Sequence, residues 1–110
     1  MEFQEVQRLI EANAERYKKK HGIVMDREYL LLKLMEEMGE LAEALLSSQG
    51  KSRMKKLGEE TCSPEQHLED ELADVFNILF LIARELRIDP LTALERKVFV
   101  KARKYLSESS

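Results

Sequence analysis

The sequence predicts an all-α protein, a small bundle of four helices. Three observations carry this. Apolar residues recur at helical spacing in four separate stretches. Glycine and proline are sparse, at four and two in 110 residues, and each proline follows a capping residue, as Ser63-Pro64 and Asp89-Pro90. Apolar residues make up 44% and charged residues 35%, a mix that fits a helical protein in water rather than a β-sandwich.

The first helix is expected from about Phe3 to Lys20, with Phe3, Val6, Ile10, Ala14 and Tyr17 at helical spacing. His21-Gly22 stops it after a lysine run, because glycine takes the left-handed cap at little cost and lysines suit a helix C-terminus. Asp26 is placed to cap a second helix over Arg27–Ser48. Residues 49–63, QGKSRMKKLGEETCS, read as a glycine-punctuated basic loop. Ser63-Pro64-Glu65-Gln66 opens the third helix: serine caps, proline takes the first helical position and glutamine closes a capping box. That helix is expected to reach about Arg87. Asp89-Pro90 opens the fourth, expected to run to about Tyr105 before a fraying SESS tail. Short connections at two of the three joints favour antiparallel neighbours.

Length bounds the chain to one domain, residues 1–110, with a thin core that association with a copy of itself would help. The net charge of -3 gives no overall pull toward a nucleic-acid polymer. One cysteine, Cys62, makes no internal disulfide and points to a reducing compartment. The N-terminus starts polar and lacks an apolar segment of signal type, and the longest apolar run, VFNILFLIA, is too short to span a bilayer. A cytoplasmic protein is expected.

Two stretches carry chemistry. EEMGELAEALL at 36–46 and EDELADVFNILF at 69–80 each place two acids one helical turn apart: Glu37 with Glu40, and Glu71 with Asp74. At about 100° per residue, Leu31, Leu34, Met35, Met38, Leu41, Ala42 and Leu45 form an apolar stripe with Glu37 at its edge. On the next helix Leu68, Leu72, Val75, Leu79, Ile82 and Leu86 form the stripe, and Glu71 falls inside it. Carboxylates on a buried face are costly. They either hold protons at a raised pKa or gather round a cation. Four oxygen-bearing side chains without a cysteine suit a hard cation, magnesium or manganese rather than zinc. Glu36, about 40° from Glu40 on the helical wheel, is placed to orient water or bind a second ion, whereas Glu43 reads as surface. Asn77 interrupts the apolar run and could touch a sugar or phosphate, or else bond between helices. His67 stands one turn before Glu71.

With those residues in view, EEMGELAEAL followed by EDELADVFNILFLIA resembles the MazG-type branch of the all-α nucleoside triphosphate pyrophosphohydrolases, whose signature is ExxE, a connection, then ExxD. The resemblance covers roughly residues 28–105. It implies that Glu37, Glu40, Glu71 and Asp74 hold magnesium. It further implies cleavage of a nucleoside triphosphate to a monophosphate and pyrophosphate, with house-cleaning of the nucleotide pool as the expected role, and a homodimer or homotetramer. In such chemistry Glu37 and Glu36 would serve the attacking water. Relatives place a lysine and further polar groups on the last helix to meet phosphate. Here Lys97 matches that, Lys101 matches more loosely, and Tyr105 resembles the aromatic near the end of the motif. Lys51, Arg53, Lys55 and Lys56 are placed to fold over a nucleotide or to remain a solvated loop. Tyr29 and Phe3 are candidates for a base pocket. Two other readings stay open: a phosphoribosyl-ATP pyrophosphohydrolase, and a non-enzymatic helical interaction module whose acids are surface.

Overall fold

The computed structural model describes residues 1–50 and 63–109. Cys62 and the basic cluster Lys51, Arg53, Lys55 and Lys56 lie outside these. The described chain forms four helical stretches and no strand.

Helix α1 spans Phe3–His21. It ends where Gly22 turns left-handed, at φ 65°, and donates its N–H to the Lys18 carbonyl. Helix α2 spans Arg27–Ser48, and the Asp26 carboxylate accepts from the Tyr29 N–H at 2.9 Å. Helix α3 spans Pro64–Glu85, with the Ser63 hydroxyl accepting from the Gln66 N–H at 3.1 Å. This helix stops two residues before the expected end. Arg87 takes a left-handed φ of 60°. The Ile88 N–H donates back to the Ala83 carbonyl at 2.8 Å, which closes the helix end.

Asp89 caps the fourth helix, accepting from the Leu91 N–H at 3.1 Å and the Thr92 hydroxyl at 2.9 Å. That helix is not uniform. Helix α4, Pro90–Leu94, runs into a π-helical turn, Glu95–Phe99, which the Val100 N–H closes on the Glu95 carbonyl, and then into helix α5, Val100–Ser109. The helix passes the expected stop at Tyr105, and the Ser109 hydroxyl donates to the Tyr105 carbonyl at 2.9 Å.

Helices α2 and α3 pack antiparallel. Arg27, Leu30 and Leu31 meet Ile82 and Leu86, and further along Glu37 meets Asp74. Helix α1 lies against α3, with Ala14 joining Leu30, Ile78 and Leu81 in the core and Ile10, Met25, Tyr29, Leu34 and Ile82 around it. At one end the Phe3 and Phe80 ring centroids sit 5.6 Å apart. Phe3 thus packs on Phe80 there, and it is absent from the cavity wall that Tyr29 lines. The face of α2 that turns inward carries Leu30, Leu34, Glu37, Leu41 and Ala44. This corrects the expected stripe, since Leu31, Met35, Met38 and Leu45 are exposed. Both helices are apolar round more than one face, so periodicity does not select the packed one.

The fourth helix buries no residue, and every residue from Val100 to Ser109 is exposed. Within one chain the expected bundle is therefore three packed helices and a fourth that contributes nothing to the core. The buried apolar residues among those described are Ala14, Leu30, Ala44, Ile78 and Leu81, two of them alanines, a thin core for 110 residues. No helix of the described residues is long and apolar enough to cross a membrane.

Candidate metal centre and adjoining cavity

The antiparallel pairing of α2 and α3 sets Glu37 against Glu71 and Asp74. One carboxylate oxygen from each lies within 4.8 Å of the others. Glu37 is a buried residue at 8% exposure, Glu71 is half-buried and Asp74 stands at the exposed edge. Glu37 Oε1 and Glu71 Oε1 are buried with no hydrogen-bond partner among the described residues. Buried oxygens without a donor are costly, so this arrangement calls for a cation or protons.

The electrostatics agree with the geometry. Burial, followed by the charges of Asp74 and Glu40, pushes the Glu37 carboxyl above its ordinary pKa against the pull of Lys33. Burial, then Glu40 and Asp74, raises Glu71, which His67 Nδ1 opposes from 3.8 Å. Asp74 is raised in the same way by burial and by Glu40 and Asp70. Lys33 answers this charge. Its ammonium lies 3.0 Å from Glu36 Oε1 and 3.5 Å from Glu37 Oε2, and the hydrogen bond to Glu36 leads in holding its pKa well above the ordinary lysine value.

Against the acids lies a cavity of about 280 Å³ between the three packed helices, with Glu37, Asp74, Lys33 and Asn77 on its wall. The constellation is a carboxylate centre opening on a small-molecule-sized space. The sequence supports an assignment at this point: the model of the MazG-like family matches residues 27–110. The chain belongs to the MazG-like family. No curated protein matches it.

In this MazG-like chain the site residues expected from sequence divide into two groups. Glu37, Glu71 and Asp74 converge, and Asn77 borders the cavity beside them. Glu40 is exposed and outside the convergent three, yet its charge bears on each of them. Glu36 sits at the rim, tied to Lys33. Glu43, expected at the surface, is half-buried.

Lys97 and Lys101 do not join this group. They are exposed on the fourth helix and absent from the cavity wall. At four residues apart, the two would share a face only in an unbroken α-helix. The π turn inserts an extra residue between helical repeats and rotates Lys97, which lies inside it, relative to Lys101. Tyr105 is exposed on the same helix, at 70%. Tyr29 does line the cavity.

The sequence reading does not single out Lys33, although its position four residues before Glu37 marks it as an ion-pair partner. Asn13, Arg16 and Tyr17, which line the cavity from α1, carry no such signal, because only tertiary packing brings them there.

Proposed function

We propose that this MazG-like chain is a divalent-cation-dependent nucleotide pyrophosphohydrolase that converts a nucleoside triphosphate and water to a monophosphate and pyrophosphate. The observation that carries the reading is the convergence of Glu37, Glu71 and Asp74 oxygens within 4.8 Å, two of the residues holding a buried oxygen without a partner, beside a cavity. An all-carboxylate donor set fits a hard cation, magnesium foremost and manganese next.

Glu37, Glu71 and Asp74 would hold the ion, with Glu40 as the fourth carboxylate at the mouth. When bound, the ion neutralises phosphate oxygens and acidifies water. Water attacks phosphorus, the bridging oxygen leaves with pyrophosphate, and a carboxylate takes the proton. Glu36, held at the rim by Lys33, is in place to orient that water, and Glu37 anchors the group from the buried side.

Self-association as a homodimer or homotetramer belongs to the same reading. Leu31, Met35 and Met38 on α2, Phe76 and Leu79 on α3, and Leu91, Leu94 and Val98 on the last helix are all exposed. In a chain with so thin a core, covering these residues with a second copy would add the apolar burial that the core lacks. A second copy gives the last helix, with Lys97 and Lys101, a surface to pack against. A reducing cytoplasm fits the single cysteine.

The test is product analysis on a panel of ordinary and modified nucleoside triphosphates with magnesium, with and without chelator, alongside Glu71→Gln. Monophosphate plus pyrophosphate, lost with chelator and with Glu71→Gln, is the expected result. Turnover of phosphoribosyl-ATP alone would move the assignment to that hydrolase. No turnover at all would leave a helical interaction module and overturn the enzymatic reading.

A further inference from the structure

The metal reading uses only one wall of the cavity, that of Glu37 and Asp74. The remaining walls have a different chemistry. Tyr17 and Tyr29 supply aromatic rings, and Met25, Ile78 and Leu81 an apolar surface. Two amides, Asn13 and Asn77, are the neutral polar groups among the lining side chains apart from the tyrosine hydroxyls. A polyphosphate has no use for aromatic and apolar walls. A ligand with a flat, partly apolar end and a charged end does.

Helix α1 supplies Asn13, Arg16 and Tyr17 to this wall, and α1 lies outside the span that matches the MazG-like family. The Arg16 guanidinium donates to Asn13 Oδ1 twice, at 3.2 and 2.9 Å. This fixes the plane of the Asn13 amide and leaves its N–H groups without a partner among the described residues. It also ties down the one cation that α1 brings to the wall from among these three residues.

We propose that this cavity takes the nucleoside end of the substrate, with Tyr17 and Tyr29 against the base and the amide of Asn13 hydrogen-bonding to the base edge. The proposal rests on the reading of the acids as the phosphate end. At about 280 Å³ the space lies just under the ~300–1,000 Å³ of drug-sized ligand sites, so it admits one nucleoside and no polymer. Away from Lys33 and the acids, the polar side chains beside the apolar and aromatic walls are Asn13, Arg16 and Asn77 with the tyrosine hydroxyls, a set able to orient a small molecule. Stacking on an aromatic ring tolerates any base, so Tyr17 and Tyr29 supply affinity, and Asn13 supplies discrimination. Arg16 is a positioning residue that acts through Asn13.

The experiment compares the full chain with Tyr17→Ala, Asn13→Ala and Arg16→Ala. It reads KM and kcat over the triphosphate panel with magnesium, calorimetric binding of nucleoside monophosphates in chelator, and binding of pyrophosphate with magnesium. Tyr17→Ala is expected to raise KM by roughly ten-fold for every base and to weaken monophosphate binding alike, with pyrophosphate binding unchanged. Asn13→Ala is expected to alter the order of preference among bases, and Arg16→Ala to reproduce part of that change. A purely structural role would shift melting temperature without moving the base order.

Turnover by the unaltered chain, with KM and base order the same in all three variants, would overturn the proposal and leave the pyrophosphohydrolase reading standing. Should no triphosphate turn over, the monophosphate arm decides separately. Binding that Tyr17→Ala weakens supports the cavity, and no binding sinks it. Should Tyr17→Ala fail to fold, Asn13→Ala, at an exposed position, carries the test.

Discussion

Glu71→Gln in metal-free protein is the sharpest perturbation of the carboxylate centre. Its oxygen lies within 4.8 Å of oxygens of both Glu37 and Asp74. Two unit charges at that distance repel by about 3.5 kcal/mol at an effective dielectric near 20. That figure is for two full charges at the widest separation, and two effects reduce it. Burial and mutual repulsion raise all three carboxyls above their ordinary pKa, which favours the protonated form and lowers the mean charge. Asp74 is exposed and screened by water. Removing one charge while keeping the shape should therefore stabilise the metal-free fold by about 1–2 kcal/mol. For a domain of this size that is a rise in Tm of roughly 5–10 °C. The assay is thermal unfolding followed by circular dichroism at pH 7, first in chelator and then across a magnesium titration. The unaltered chain should gain stability with magnesium, by about 2.7 kcal/mol at a hundred-fold excess over Kd, whereas Glu71→Gln should gain little. A lower Tm for Glu71→Gln in chelator, together with an unchanged magnesium response, would refute both the repulsion and the site.

Other outcomes follow from the same structure. Glu37, Glu71 and Asp74 hold protons to higher pH folded than unfolded, so the folded chain binds more protons just above the ordinary carboxylate range. Metal-free stability should thus fall as pH rises through that window, and saturating magnesium should remove the fall; melts from about pH 4.5 to 7.5 check this. Arg87 holds a left-handed φ of 60°. Glycine takes that conformation without a side-chain penalty, so Arg87→Gly should stabilise by about 0.5–1 kcal/mol, and chemical denaturation reads the gain. Met35→Glu and Leu79→Glu, both at exposed positions, should leave the helical signal intact while light scattering shows smaller particles than the unaltered chain forms.

What could be read from the sequence was local. Asp26, Ser63, Asp89 and Gly22 each terminate a helix as expected, because a cap is decided by a handful of neighbouring residues. The one-turn spacing of Glu71 and Asp74 survives for the same reason, and Glu71 does lie on the packed side of α3. The rotation of α2 was not legible. Leu30 and Leu31 are equally apolar, and only α1 and α3 decide that the first is buried and the second exposed. The π turn at Glu95–Phe99 has no residue signal of its own, so the register of the lysines beyond it could not be read. The α1 wall of the cavity depends on how one helix lies against another, which periodicity along a single helix does not encode.

The rotation of α2 matters most for the site. At the edge of a stripe, Glu37 would be an ordinary helix-forming acid with access to water. In the structure it sits between Leu34 and Leu41 on the packed face, four places from a lysine that reaches it only at 3.5 Å. The fold has no need of a charge there. Ala44 and Leu30 show that the same face packs with apolar residues, and an apolar replacement at a buried ionic position is often neutral or stabilising. A sequence that otherwise agrees with its fold breaks the rule here, where three carboxylates and a cavity meet. Such local conflicts are expected where a site is held against the preference of the core. The burial of Glu37 is thus a stronger argument for a cation than the spacing of the four acids, since spacing alone is equally compatible with a solvated helix face.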